Sequence, residues 1–215
     1  MKKKTYLLLP LLSLFFCQNA SAFCESSSTR INITMNPGNV KYITTRSRHD
    51  FIHSSPHPVS PNTLGLTVSN LSITGDAQPR IEIENGKMCV SLKTLNFKMG
   101  YDDLTVYIDK KYKPSSCEYK VIKNHEKYHV AVAQQAMIFF KPDVERRIQE
   151  SLRKVKPTIV KSAEERDNVL KAQLELVMSD LKPLINHINK VTAEKNYQID
   201  TPESYEKTKA LCKNW

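Results

Sequence analysis

His125, Glu126 and His129 stand in the pattern H-E-x-x-H. On an α-helix, residues four apart share one face, so both imidazoles can reach a single metal ion. Zn²⁺ suits such a pair, because it takes imidazole nitrogens in a tetrahedral set and leaves a position open for water. Glu126, one step round the helix from His125, falls beside that position. There a carboxylate can take the proton of a water as it attacks a carbonyl. A lone inward histidine reads as a satisfied core residue. Two inward histidines at metal spacing, with a glutamate between them, read as a metal site.

The positioning element is legible. Ser115-Ser116-Cys117-Glu118 has the S-x-x-E form of a capping box, which satisfies orphan amides at a helix start. No Gly or Pro follows until Lys141-Pro142, which marks the stop after Phe140. Val121, Ile122, Val132, Ala133, Ala136, Met137 and Phe140 recur at helical spacing, and His125 and His129 fall on that stripe. Both therefore point inward. Beyond Pro142 the pattern predicts a helix over 143–156, then a long amphipathic helix from Thr158 to about Lys195 that Pro183 should kink or divide. These form a helical hairpin packed on the metal helix. Coiled-coil dimerisation is disfavoured, because the apolar stripe is not a clean heptad. Thr201-Pro202 opens a short final helix, with Thr201 as N-cap and Pro202 at the first position.

The first half reads as strands and loops. Lys41 to Arg46 is β-rich, Leu64, Leu66 and Val68 alternate, and Leu71 and Ile73 resume out of phase. Ile81 and Ile83 precede an Asn85-Gly86 hairpin turn, after which Met88, Val90 and Leu92 alternate, then Leu104, Val106 and Ile108. The fold class is α+β: a small, mostly antiparallel sheet of four or five strands, then the H-E-x-x-H helix and a long helical hairpin. Leu104 to Asp109 is the candidate edge strand for pairing an extended substrate. His49, His53 and His57 share a helical spacing, but Ser54-Ser55-Pro56 and Pro58 make a helix improbable, so they read as exposed loop residues.

The ends of the chain bear on compartment. Residues 1–22 read as a signal peptide: Lys2-Lys3-Lys4, an apolar stretch from Tyr6 to Phe16, and Ala20-Ser21-Ala22 as the cleavage signal. Residues 23–215 then form a single domain, β-rich over 23–114 and helical over 115–215, in a periplasmic or secreted protein. The formal net charge of +10 suits a solvated surface or an anionic envelope. No nucleic-acid motif accompanies it, and no other apolar run reaches membrane-spanning length. Outside the signal, Cys24, Cys89, Cys117 and Cys212 make an even set, suited to disulfides in an oxidising compartment. Four cysteines allow three pairings. The favoured one joins Cys89 to Cys117, clamping the metal helix to a strand, and Cys24 to Cys212, tying the chain ends.

The H-E-x-x-H helix resembles that of the zincin metallopeptidases. The layout of residues 40–212 resembles a family of small exported bacterial proteins described as predicted zinc-dependent proteases. The resemblance implies hydrolysis of peptide or protein substrates, with His125 and His129 as zinc ligands and Glu126 as general base. Val132 and Gln135 stand where the longer metzincin motif has Gly and His, so a third ligand must come from elsewhere. Glu145, Glu150, Glu164, Glu165, His187, Asp200 and Glu203 are available. The tail of the related family gathers acidic or imidazole groups, which favours Glu203 or Asp200, with Glu203 placed first. The competing class is a non-catalytic exported envelope protein, its motif vestigial or structural and its helical hairpin binding a partner.

Overall fold

A computed structural model describes residues 23–53, 59 and 62–215. The signal segment 1–22 and His57 lie outside the described residues. Two sheets and two long helices surround one core. In chain order the elements are β1 (Arg30–Asn36), β2 (Asn39–Ile43), α1 (Arg48–His53), β3 (Gly65–Val68), β4 (Ser72–Glu84), β5 (Lys87–Gly100), β6 (Asp103–Ile108), α2 (Cys117–Leu152), β7 (Thr158–Val160), α3 (Ala163–Ile199) and α4 (Pro202–Ala210). The architecture is α+β, as expected, but the strands divide between two sheets.

One sheet runs β1-β5-β4, with β7 also pairing β5; the other runs β2-β6-β3. β4 and β5 form the hairpin that Asn85-Gly86 announces, and both turn residues have positive φ (49° and 73°), as a tight two-residue turn requires. The β1–β5 and β2–β6 pairs are parallel, so the strand pairing is mixed. Leu104 to Asp109 is not an edge: β6 is flanked by β2 and β3. The edge strand that packs on α2 is β3. Pro79 interrupts the β4–β5 ladder. Gln78 faces Thr94 and Pro79 faces Leu92, so Lys93 is an extra residue in a β-bulge.

Alternation along β5 and β6 puts Leu95, Phe97, Met99, Leu104, Val106 and Ile108 into the core. There they meet Ile122, Ala133, Met137 and Ile148 of α2 and Val177, Leu181 and Ile188 of α3. The Tyr101 hydroxyl donates to the Ala133 carbonyl at 2.9 Å, and burial pushes its phenol up to about 12. This bond ties the sheet layer to the helix one turn beyond His129.

Both long helices run through a proline. α2 continues past Pro142, and α3 is undivided at Pro183. The ring removes one backbone donor, but Met137 and Val144 on one helix and Leu181 and Ile185 on the other stay buried on either side. Packing of the apolar stripe overrides the local stop signal. Thr158–Val160, read as helix, is instead a short strand on β5, and α3 starts at the Ser162 cap, whose side chain accepts from the Glu165 amide. The α2 cap is Ser116, not Ser115: its hydroxyl accepts from the Tyr119 amide at 3.2 Å. Thr201 caps α4, with Pro202 at its start, as read.

The disulfides join Cys24 to Cys89 and Cys117 to Cys212. The favoured pairing is therefore corrected. Cys89 sits on β5 opposite Ile159 of β7, whereas α4 packs on α2 and brings Cys212, which follows it, to Cys117. His49 and His53 lie on α1, not in a loop, with stacked exposed rings 4.0 Å apart. No described helix is long and apolar enough to cross a membrane.

Candidate metal centre

The third and fourth turns of α2 carry His125, Glu126 and His129, at 7 %, 1 % and 4 % exposure. Three contacts define the centre. His125 Nε2 lies 3.2 Å from His129 Nε2, and the Asp200 Oδ1 lies 3.0 Å from the first and 3.1 Å from the second. Asp200 follows the last residue of α3, as its C-cap, just before the Thr201 cap of α4. Among the described residues, His125, His129 and Asp200 are the one group of His, Cys, Asp or Glu side chains that could hold a metal ion.

The donor set fits a tetrahedral cation. Ligands at about 2.0–2.1 Å from such an ion stand about 3.3 Å apart, close to the three separations found. Without a cation, at least two of these nitrogens and oxygens would face each other lone pair to lone pair, or N–H to N–H. The orientation of His129 is set from behind. Its Nδ1 lies 3.2 Å from the Asn196 Oδ1, so an Nδ1–H donating there leaves Nε2 as the lone-pair nitrogen. Asn196 and Asp200 are four apart at the end of α3, which is how one helix turn supplies both groups.

In the metal-free chain the same contacts shift the titration of these groups. Burial pushes the Asp200 carboxyl up, but hydrogen bonds from His125 and His129 outweigh it and hold the group well below the usual carboxylate range. Burial pulls His129 down, yet the hydrogen bond to Asp200 and the charge of Glu126 leave it raised overall. Asp200 is thus anionic, the state a ligand requires.

Glu126 faces β3. Its Oε2 accepts from the Thr67 hydroxyl at 2.7 Å, and burial raises its carboxyl, opposed mainly by His129. Gly65, on the same strand, makes room for it. A Cβ there would stand 2.7 Å from Glu126 Oε1 and 2.9 Å from Ile122 Cγ2. Tyr205 of α4, at 1 % exposure, sets its ring 5.4 Å from that of His125. Its hydroxyl bonds Asp200 and lies 3.2 Å from the Thr63 hydroxyl.

The other ligand candidates lie elsewhere. Glu203 is exposed in the first turn of α4, where its own amide and the Thr201 side chain bind its carboxylate and lower it. The Thr201 cap stands between Asp200 and Glu203, and the structure brings Asp200, not the first-placed Glu203, to the two histidines. His187 is exposed and its ring stands 6.2 Å from that of Phe140. Glu150 pairs with Arg146, and Glu145 with Lys141. Glu164 and Glu165 are exposed on the first turn of α3. Thr67, Gly65, Asn196 and Tyr205 escape sequence reasoning, since none belongs to a motif. The Asn196/Asp200 spacing on a helix end is the one signal that could have pointed to them. Comparison of the chain with protein-family models, with curated proteins and with solved structures finds no match in any of the three.

Proposed function

We propose that this chain is an exported zinc-dependent metallopeptidase. The observation that carries the reading is the triangle of His125 Nε2, His129 Nε2 and Asp200 Oδ1, with sides of 3.0–3.2 Å, beside a buried glutamate. His125, His129 and Asp200 would hold the ion. Bound zinc supplies Lewis acidity, polarising a scissile carbonyl and lowering the pKa of water to near neutrality.

The chain's own groups do the rest. Glu126 is held by Thr67 beside the ligand pair and serves as general base, passing the proton on to the leaving amine. Burial raises its carboxyl, which strengthens it as a base. Asn196 and Tyr205 fix His129 and Asp200. The open edge of β3, one strand from β6 and in contact with Glu126 through Thr67, supports binding an extended peptide as an added strand. Two disulfides and the signal-like residues 1–22 support export to the periplasm or beyond.

The test is Glu126→Gln. Zinc content should be unchanged, while hydrolysis of a peptide library falls by a factor on the order of 10²–10⁴. Undiminished hydrolysis in that variant would remove Glu126 from the mechanism and the peptidase reading with it.

A further inference from the structure

Three cations converge on a cavity that the peptidase reading does not use. It has a volume of about 240 Å³ and is lined by Ser28, Thr29, Arg30, Arg80, Lys93 and Thr94. The register explains the convergence. Arg30 of β1 faces Thr94 of β5 across the parallel ladder. Arg80 of β4 follows Pro79 at the interruption of the antiparallel ladder, and Lys93 is the bulged residue that the interruption leaves without a partner. The Cys24–Cys89 disulfide anchors the preceding segment, so that Ser28 offers its carbonyl to Arg80 Nη2 at 3.3 Å.

Among the described residues no carboxylate answers these charges. Among the described residues, none of Arg30, Arg80 or Lys93 makes an ion pair within 4.0 Å. The Arg80 Nη1 is buried with no hydrogen-bond partner at all. A buried guanidinium nitrogen without an acceptor is rare in folded proteins, because leaving a desolvated donor unmade is costly. Two guanidinium forks and one ammonium, with the hydroxyls of Ser28 and Thr94 able to donate beside them, make a cationic, donor-rich surface. A phosphate-class oxyanion matches it, offering acceptors to forked donors and a point charge together.

We propose that this cavity is a binding site for a phosphate-class oxyanion, independent of the metal centre. The separation is large. A second cavity, which shares Thr29 with the first, is lined by Leu152 and Arg153 at the far end of α2. Leu152 lies about 35 Å along that helix from His129, at about 1.5 Å per residue. The site therefore stands or falls apart from the zinc chemistry.

Inorganic phosphate is the probe, titrated calorimetrically into the purified protein at low ionic strength, with chloride as control. Phosphate should bind, chloride should not compete at equal ionic strength, and Arg80→Gln should weaken binding at least tenfold. Lys93→Gln alters an exposed residue, so it keeps the test valid if Arg80→Gln does not fold, and should weaken binding severalfold. Zinc content should not change in either variant. Vesicles of phosphatidylglycerol or phosphatidylcholine assign the source. Retention on the anionic vesicles alone, lost with Arg80→Gln, makes the ligand a lipid headgroup, and phosphate binding without retention makes it a free phosphate. Phosphate binding no tighter than chloride, or unaltered in both variants, overturns the proposal.

Discussion

Gly65 and Thr67 decide where the Glu126 carboxylate sits, although neither carries chemistry itself. Thr67 holds one oxygen at 2.7 Å, and the missing side chain at Gly65 leaves space for the other. Gly65→Ala should push Glu126 off its position, because the added methyl would approach carboxylate oxygen and Ile122 closer than real contacts allow. The expected outcome is a fall in kcat with zinc content kept; zinc loss with unchanged kcat would oppose it. Titration of the same residues gives a pH dependence. His129 is raised in the folded chain, so its stabilisation is complete below the unfolded value of about 6.5 and is lost as pH rises through the folded one. Asp200 is lowered, so its stabilisation is present above its unfolded value of about 3.9 and is lost as pH falls through the folded one. Glu126, raised by burial, also loses stability as pH rises. The metal-free protein should therefore be most stable at about pH 4, where Asp200 is ionised and Glu126 is still protonated in both states, and should lose stability as pH rises from there. Zinc replaces the proton at His129, so the gain in Tm on adding zinc should widen from pH 5.5 to 8. A gain that narrows over that range would contradict the assignment.

At the scale of elements, α4 keeps the centre closed. Its Tyr205 backs His125 and bonds Asp200, and the Cys117–Cys212 disulfide returns the end of the chain to the start of α2. That crosslink spans 95 residues, a loop whose closure is worth about 2–5 kcal/mol in small exported domains. Replacing both cysteines by serine should lower stability by that amount and weaken zinc affinity, since Asp200 and Tyr205 lose their restraint. Removing Cys24 and Cys89 should lower stability but leave zinc affinity alone. Equal loss of zinc affinity in the two pairs would show that the restraint is global and not local to α4. Denaturant unfolding and competition with a chelating dye measure the two quantities.

Across the whole molecule, what local pattern specifies was readable and what long-range pairing specifies was not. His125 and His129 declare themselves because their relation is four residues long. Asp200 is 75 residues from His125 and carries no mark that separates it from Glu203, three places on. Only the direction of the chain through the Thr201 cap does so. The Asn85-Gly86 hairpin and the Thr201-Pro202 helix start were legible for the same reason as the histidine pair. The parallel β1–β5 and β2–β6 pairings were not, because a strand's own alternation says nothing about its neighbour. β6 read as an edge although β2 and β3 enclose it. Pro142 read as a stop and Pro183 as a kink or division, and the buried stripes of α2 and α3 carried the helices through them.

Zinc content measured in wild type, Glu203→Ala and Asp200→Ala tests the account most directly. One zinc ion per chain should remain in the first two and be lost from Asp200→Ala, with the fold of each variant checked by its thermal melt. A folded Asp200→Ala protein that keeps its zinc, or a wild type that binds none near neutral pH, would contradict the metal centre on which the proposed hydrolysis rests.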